Sequence, residues 1–178
     1  MNTRTAIATG LLLAATLTAC GGSSSSSDKA ADASSTGPVT GIKTITGTKP
    51  TAATAWAAIH KAVPASRFTL TVTEANDGNH LLGRPHQYTS AMKFSDSRVK
   101  ASDVEGDEKD DVTRGGGIEV FANHSHAQAR ADYIQAIVKA SPMFAEYDYV
   151  SGNVVIRVSH YLSPTQAAEY KTAASKLG

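Results

Sequence analysis

Cys20 is the only cysteine in this chain of 178 residues. A single cysteine forms no disulfide within its own chain, so a folded domain must be stabilised by burying apolar side chains. Burial of that kind requires a segment with regular apolar spacing, and such spacing begins only at about residue 51. The sequence therefore predicts a single domain over residues 51–178.

The residues before Cys20 are organised like a secretory signal. Arg4 and the α-amino group give a weakly positive start, and an apolar stretch follows over residues 6–19. This stretch is shorter than the roughly 20 apolar residues that cross a bilayer as a helix. A cleaved signal peptide over residues 1–19 is the favoured interpretation, and an uncleaved hydrophobic tail is the alternative.

The end of that stretch, Leu17-Thr18-Ala19-Cys20, resembles the lipobox of bacterial lipoproteins. In that family the cysteine sulfur receives a diacylglyceryl group, and a peptidase cuts just before the cysteine. The resemblance implies that Cys20 is the lipidation site and that the protein is anchored in the cell membrane, facing the extracytoplasmic side. Two acyl chains would anchor it stably, since each buried CH₂ contributes about 0.8 kcal/mol.

The segment after the cysteine, residues 20–50, is rich in Ser, Gly, Thr and Ala. It has too few large apolar side chains to offset the entropy of ordering, so a disordered tether is predicted. The chain has 17 basic and 16 acidic side chains, and only Arg4 lies within the signal peptide. Without a basic surplus, nucleic acid is not expected as a partner. The expected partners are the membrane, through the lipid on Cys20, and an envelope component or another protein.

Apolar periodicity in the domain predicts an α+β fold with the order α-β-β-β-α-β-β-α. We expect a mainly antiparallel sheet of about five strands, with three helices packed on one face. A ferredoxin-like sandwich built on the later β-α-β-β segment is the alternative. The strands are expected near residues 68–73, 89–95 and 117–122, and in a hairpin around Ser151-Gly152-Asn153.

Capping signals place the helix starts. Ser125 with Gln128, and Ser163 with Gln166, have the spacing of capping boxes. The first helix is expected to follow Thr51. The face predicted for the first helix is Ala53, Trp56, Ile59 or His60, and Val63. The apolar face predicted for the second is Ala127, Ala131, Ile134, Ile137 and Val138.

The candidate ligand-binding residues are His80, Arg84, His86 and Tyr88, which lie in one loop. Arg84 precedes a proline and offers a planar cation, so the loop could bind an anion or a sugar hydroxyl. The alternative is a structural loop in which Leu81 and Leu82 plug the core and Arg84 pairs with a carboxylate.

Metal binding has two weak candidates. His124 and His126 lie close together, but a zinc site needs three or four ligands, so no metal and no cofactor are predicted. The acidic segment 103–111 departs from the spacing of an EF-hand loop. A mobile acidic loop is therefore favoured over weak calcium binding.

No catalytic residue is predicted, because the sequence contains no nucleophile elbow and no phosphate-binding loop. Residues 79–88, 116–121 and 129–135 resemble segments of small uncharacterised lipoproteins of actinomycetes, a resemblance that implies the location and no reaction. We predict a non-enzymatic binding or interaction module of the cell envelope. The alternatives are a small-ligand or metal carrier that uses the 79–88 loop, and a small hydrolase.

Overall fold

A computed structural model describes residues 49–177. Cys20, the signal peptide and the tether up to residue 48 lie outside the described residues. The elements follow the predicted order α-β-β-β-α-β-β-α, which confirms the α+β class. The helices are α1 (Ala52–Ala62), α2 (His124–Ala140) and α3 (Pro164–Ala174). The strands are β1 (Ser66–Thr71), β2 (Ser90–Asp96), β3 (Gly115–Val120), β4 (Glu146–Ser151) and β5 (Val154–Ser159).

The five strands form one sheet in the order β1-β2-β3-β5-β4, and every neighbouring pair is antiparallel. β5 lies between β3 and β4, which are parallel and are joined by α2. This split β-α-β unit is the part of the ferredoxin-like alternative that the chain does form. The predicted β4–β5 hairpin is confirmed, and its two-residue turn begins with Gly152 at φ 53°.

The helices lie on both faces of the sheet, so the expectation of a single helical layer is wrong. Val155 and Ile156 are neighbours in β5 and point to opposite faces, yet both are fully buried. Both faces of the central strands must therefore be covered. α1 and α3 cover one face, called the closed face below, and α2 packs against β4 and β5 on the other, called the open face.

The closed face holds the larger apolar core. Phe94 stacks on Tyr170 with ring centroids 5.3 Å apart, and the Tyr170 hydroxyl donates to Asp96 at 2.6 Å. Buried side chains from three strands and two helices complete this core, and Tyr147 and Tyr149 of β4 pack against it. The buried members include Ile59, Met92, Ile118, Val120, Val154, Ile156, Val158 and Leu162.

Two of the three expected helix starts are confirmed. Thr51 caps α1, and Ser163 with Gln166 forms a capping box at α3. The Ser125–Gln128 box is wrong, because Asn123 is the N-cap of α2 and accepts the backbone N–H of His126. Asparagine is among the strongest N-cap residues, so it outcompetes the serine two positions later.

Some apolar positions differ from the predicted faces. Ala53 is exposed in α1, where the buried face is Ala52, Ala55 and Ile59. In α2, Ile134 is buried, but Ile137 is 38% exposed. The inward face of α2 is therefore narrow, and its apolar side chains continue beyond the core.

Candidate functional site

The open face carries a groove of about 1140 Å³. α2 covers β4 and β5, and the groove extends from this helix over the rest of the sheet. Its floor includes Leu70 of β1, Lys93 of β2 and Arg157 of β5, and the segments 76–87 and 107–113 form the facing rims. This volume slightly exceeds that of typical small-molecule pockets, which is roughly 300–1,000 Å³.

A row of five paired residues crosses the open face in register. Leu70, Lys93, Gly117, Arg157 and Asp148 are successive partners across the five strands. Since Gly117 has no side chain, the Lys93 side chain lies across it. A β-carbon placed on Gly117 would be 3.4 Å from Lys93 Cδ and 3.8 Å from Nζ. The lysine ammonium is thereby directed along the floor towards β5.

Two arginines at the groove are held by carboxylates. Arg130 of α2 donates to both oxygens of Glu119, with its Nε at 2.9 Å. Arg157 donates through Nε and Nη2 to Glu146 at 2.7 and 2.8 Å, and it also reaches Glu119. Burial raises the pKa of the Glu119 carboxyl, but Arg157, Arg130 and Lys93 together hold it below its ordinary value. Glu119 is therefore ionised, and the donors of both guanidinium groups that face these carboxylates are occupied.

Lys93 is a third cationic side chain at the groove, and it lies outside this network of ion pairs. It takes part in none of the ion pairs within residues 49–177, and the carboxylates near it act only at longer range. Burial, followed by the charge of Arg157, lowers the pKa of the Lys93 ammonium. A partly buried ammonium without a counterion is unfavourable, so this position favours a ligand that supplies one.

Asp148 lies at the far end of the row, beneath α2. Its Oδ2 accepts the side-chain amide of Gln135 at 2.7 Å, whereas its buried Oδ1 has no donor facing it. Burial and the neighbouring charge of Glu146 raise the pKa of the Asp148 carboxyl to about 7. Asp148 does not line the groove.

The predicted 79–88 loop is organised by a residue that the sequence interpretation passed over. Asp77 is buried and accepts the backbone N–H groups of Asn79, Leu81 and Leu82 and the hydroxyl of Tyr88. Burial raises the pKa of its carboxyl, but these hydrogen bonds bring it below the ordinary value. Tyr88 is 1% exposed, so it acts as a core residue here. The sequence signal was the Asx turn at Asp77-Gly78.

The other three candidates in the loop, His80, Arg84 and His86, differ in their position relative to the groove. His86 lines the groove and lies 2.8 Å from His126, Nδ1 to Nε2, so one ring donates its N–H to the other. His80 and Arg84 are exposed and do not line the groove. Both His80 and His86 have positive φ values, 54° and 65°, which non-glycine residues adopt only when their surroundings hold them there.

His124 and His126, the two weak candidates for metal binding, have different contact partners. His124 Nδ1 donates to the carbonyl oxygen of Gly152 at 2.7 Å, while His126 meets His86. Within residues 49–177, no group of three or more potential ligands could hold a metal ion. In the acidic segment, Arg114 donates to the carbonyl oxygens of residues 104, 107 and 108, so a side-chain cation organises this loop.

The wall of the groove is apolar and exposed. Six large hydrophobic side chains are exposed among the described residues, and four of them line this one groove: Tyr133, Ile137, Met143 and Phe144. Phe144 is 57% exposed and Met143 is 79% exposed. A contiguous exposed apolar patch beside a concave surface is typical of a binding site.

No protein-family model, no curated protein and no solved structure is significantly similar to this chain. Within residues 49–177, no helix has both the length and the apolar character that crossing a bilayer requires. The chemistry of the groove is therefore inferred from its geometry.

Proposed function

We propose that this protein is a membrane-anchored extracytoplasmic lipoprotein that acts as a non-enzymatic binding module of the cell envelope, and that its ligand occupies the groove on the open face. The observation that carries the proposal is the groove itself, a concave surface bounded by α2, two loops and the sheet. Mostly apolar clefts with a few convergent polar groups are the usual form of a ligand site.

The arrangement of charges favours binding over catalysis. Arg130, Arg157, Glu119 and Glu146 satisfy one another, so they form a fixed scaffold instead of a set of groups free to exchange protons. The carboxyl with the strongly raised pKa, Asp148, does not line the groove. A general acid must come within hydrogen-bond reach of the reacting group.

The binding role is tested by a substitution in α2 that fills the groove with a large side chain. Ala129 is an exposed residue of α2 that lines the groove, and Ala136 is an exposed residue of α2 that does not. The full-length protein is incubated with a small-molecule extract of the cell envelope, and its bound compounds are detected by native mass spectrometry. Compounds that bind wild type and Ala136→Trp but not Ala129→Trp support the proposal. A wild-type protein that retains no compound would overturn it.

The anchoring role is tested separately at Cys20. Mass spectrometry of the membrane-extracted protein is expected to show an acylated cysteine as the first residue, and Cys20→Ala is expected to release the protein from the membrane fraction. Recovery of an unmodified Cys20 from membranes would contradict the lipid anchor.

A further inference from the structure

We propose that the ligand of the groove is a monoanionic amphiphile, whose head group pairs with Lys93 and whose apolar chain lies against the exposed wall formed by α2 and the segment that follows it. This inference rests on the proposed function and names the chemical class of its ligand.

The head group follows from the charges on the floor. Arg130 and Arg157 are engaged by Glu119 and Glu146, and Lys93 remains with its ammonium over Gly117. Lysine is a compact point charge with three donors, which suits a single carboxylate or phosphodiester oxygen. One cation without a counterion calls for one negative charge.

The acidic rim limits the ligand to a single charge. Asp107, Glu108, Asp110 and Asp111 lie on the rim of the groove that the segment 107–113 forms. A polyanion would meet like charges along this rim, and repulsion of that kind excludes competing ligands. The negative charge of the ligand must therefore be small and confined to the floor.

The apolar part of the ligand follows from the wall. Tyr133 and Ile137 are exposed on α2, and Met143 and Phe144 continue the same surface after the helix ends. Burial of apolar surface against such a wall contributes about 25 cal/mol per Å². The groove thus combines one cationic point with an extended apolar wall, and an acyl chain with an acidic head has the complementary pattern.

Dodecanoate is the probe, and the full-length protein at neutral pH is the receptor. Calorimetric titration is expected to show binding of dodecanoate and no binding of acetate, which has the head without the chain. Dodecanol, which has the chain without the charge, is expected to bind at least about tenfold more weakly, as for a lost hydrogen bond to a charged group. A short-chain phosphatidylglycerol in a parallel titration distinguishes a lipid head group from a free fatty acid. Tighter binding by either probe identifies the source of the monoanion.

Two pairs of variants locate the probe. Lys93→Met is expected to weaken dodecanoate binding about tenfold or more, whereas Lys100→Met, at an exposed lysine outside the groove, leaves it unchanged. Phe144→Ser is expected to weaken it by a factor of about three to ten. Phe68→Ser changes a side chain of similar exposure, 53% against 57%, that does not line the groove, and it leaves binding unchanged. Thermal melts of all four variants show whether each is folded.

The outcomes separate this inference from the proposed function. If Lys93→Met and wild type bind dodecanoate with equal affinity, or if wild type binds dodecanol and dodecanoate with equal affinity, the ligand is not a monoanion that pairs with Lys93. If Lys93→Met does not fold, Phe144→Ser and the dodecanol titration decide the matter. If neither anionic probe binds while Ala129→Trp still abolishes the capture of some envelope compound, the ligand class is wrong and the groove remains a binding site. If Ala129→Trp changes no binding at all, the proposed function itself fails.

Discussion

The two faces of the sheet are formed by the same five strands, but they differ in which side chains they carry and in how completely these are buried. On the closed face, Phe94 and Val158 pack beneath α1 and α3 in an apolar core, and the buried carboxylate of this face, Asp96, is paired with Arg98. One residue earlier in β2 and β5, Lys93 and Arg157 point to the open face. The closed face is therefore mainly an apolar core. The open face carries charged side chains, and α2 covers only part of it.

This difference separates stability from binding. Removing apolar contacts from the closed face costs folding free energy, since nothing replaces them. The open face keeps a lysine without a counterion and an apolar wall in contact with solvent, both of which oppose stability. Such features persist where a site must hold a ligand.

The largest expected effect compares adjacent glycines of β3 that point to opposite faces. The β-carbon of Gly116→Ala would overlap the backbone carbonyl oxygen of Arg157 and lie 2.5 Å from Cζ of Phe94. We expect a loss of about 3 kcal/mol or more in the free energy of unfolding. Gly117→Ala meets its neighbours at 3.4 Å and is the control, with a loss of less than about 1 kcal/mol. Equal losses in urea unfolding would show that the faces are equally tight.

A smaller loss is expected from Glu119→Gln on the open face. The change leaves Arg130 without its carboxylate partner at a site where both side chains are under 10% exposed. Breaking one side of a buried pair is costly, and since glutamine still accepts a hydrogen bond we expect about 2–3 kcal/mol. Adding Arg130→Gln should recover part of that loss. Strictly additive losses in the double variant would contradict the coupling.

The next effect is a dependence on pH. Asp148 has a folded pKa of about 7, above its ordinary value, so its proton stabilises the fold in full below about pH 4 and is lost as pH rises through 7. Relative to wild type, Asp148→Asn should gain about 2 kcal/mol between pH 5 and pH 8, because the amide does not ionise. A constant difference in unfolding free energy across that range would show that Asp148 is ionised throughout.

The smallest expected effect has the opposite sign. The environment of Lys93 disfavours its charged form, so Lys93→Met should leave stability unchanged or raise it by up to about 1 kcal/mol without ligand. On the closed face no substitution of a core residue is expected to do this. A lower melting temperature for Lys93→Met would show that the ammonium has a partner in solution.

The fold was largely predictable because its signals are local. Ser163 with Gln166 and the turn at Gly152 act over a few residues, so the last helix and the hairpin were placed correctly. The layer arrangement was not predictable in this way. The apolar run Val154-Val155-Ile156 indicates burial on both faces, but it does not state which helix covers which face. Ile137 shows the same limit, since an apolar helix position can belong to a core or to a groove wall.

The site was mostly missed for a physical reason. Of the four predicted loop residues, His86 lines the groove, Tyr88 is core, and His80 and Arg84 lie outside the lining. A charged residue alternating with apolar ones in a strand is ordinarily assigned to a solvated face. This alternation is seen around Lys93, Glu119 and Arg157. Their face of the sheet becomes a groove only because α2 packs on it in the tertiary structure, which the sequence pattern does not show.

The irregular edge strand has a further consequence for how copies of this protein can approach one another. In β1 the pairing shifts between Phe68 and Leu70, which leaves Thr69 as an extra residue, as in a β-bulge. A bulge bends and twists the outer edge, so the strand is a poor template for pairing with another chain. Proteins crowded side by side on a surface would gain from such an edge, because it disfavours growth of the sheet into an intermolecular fibre.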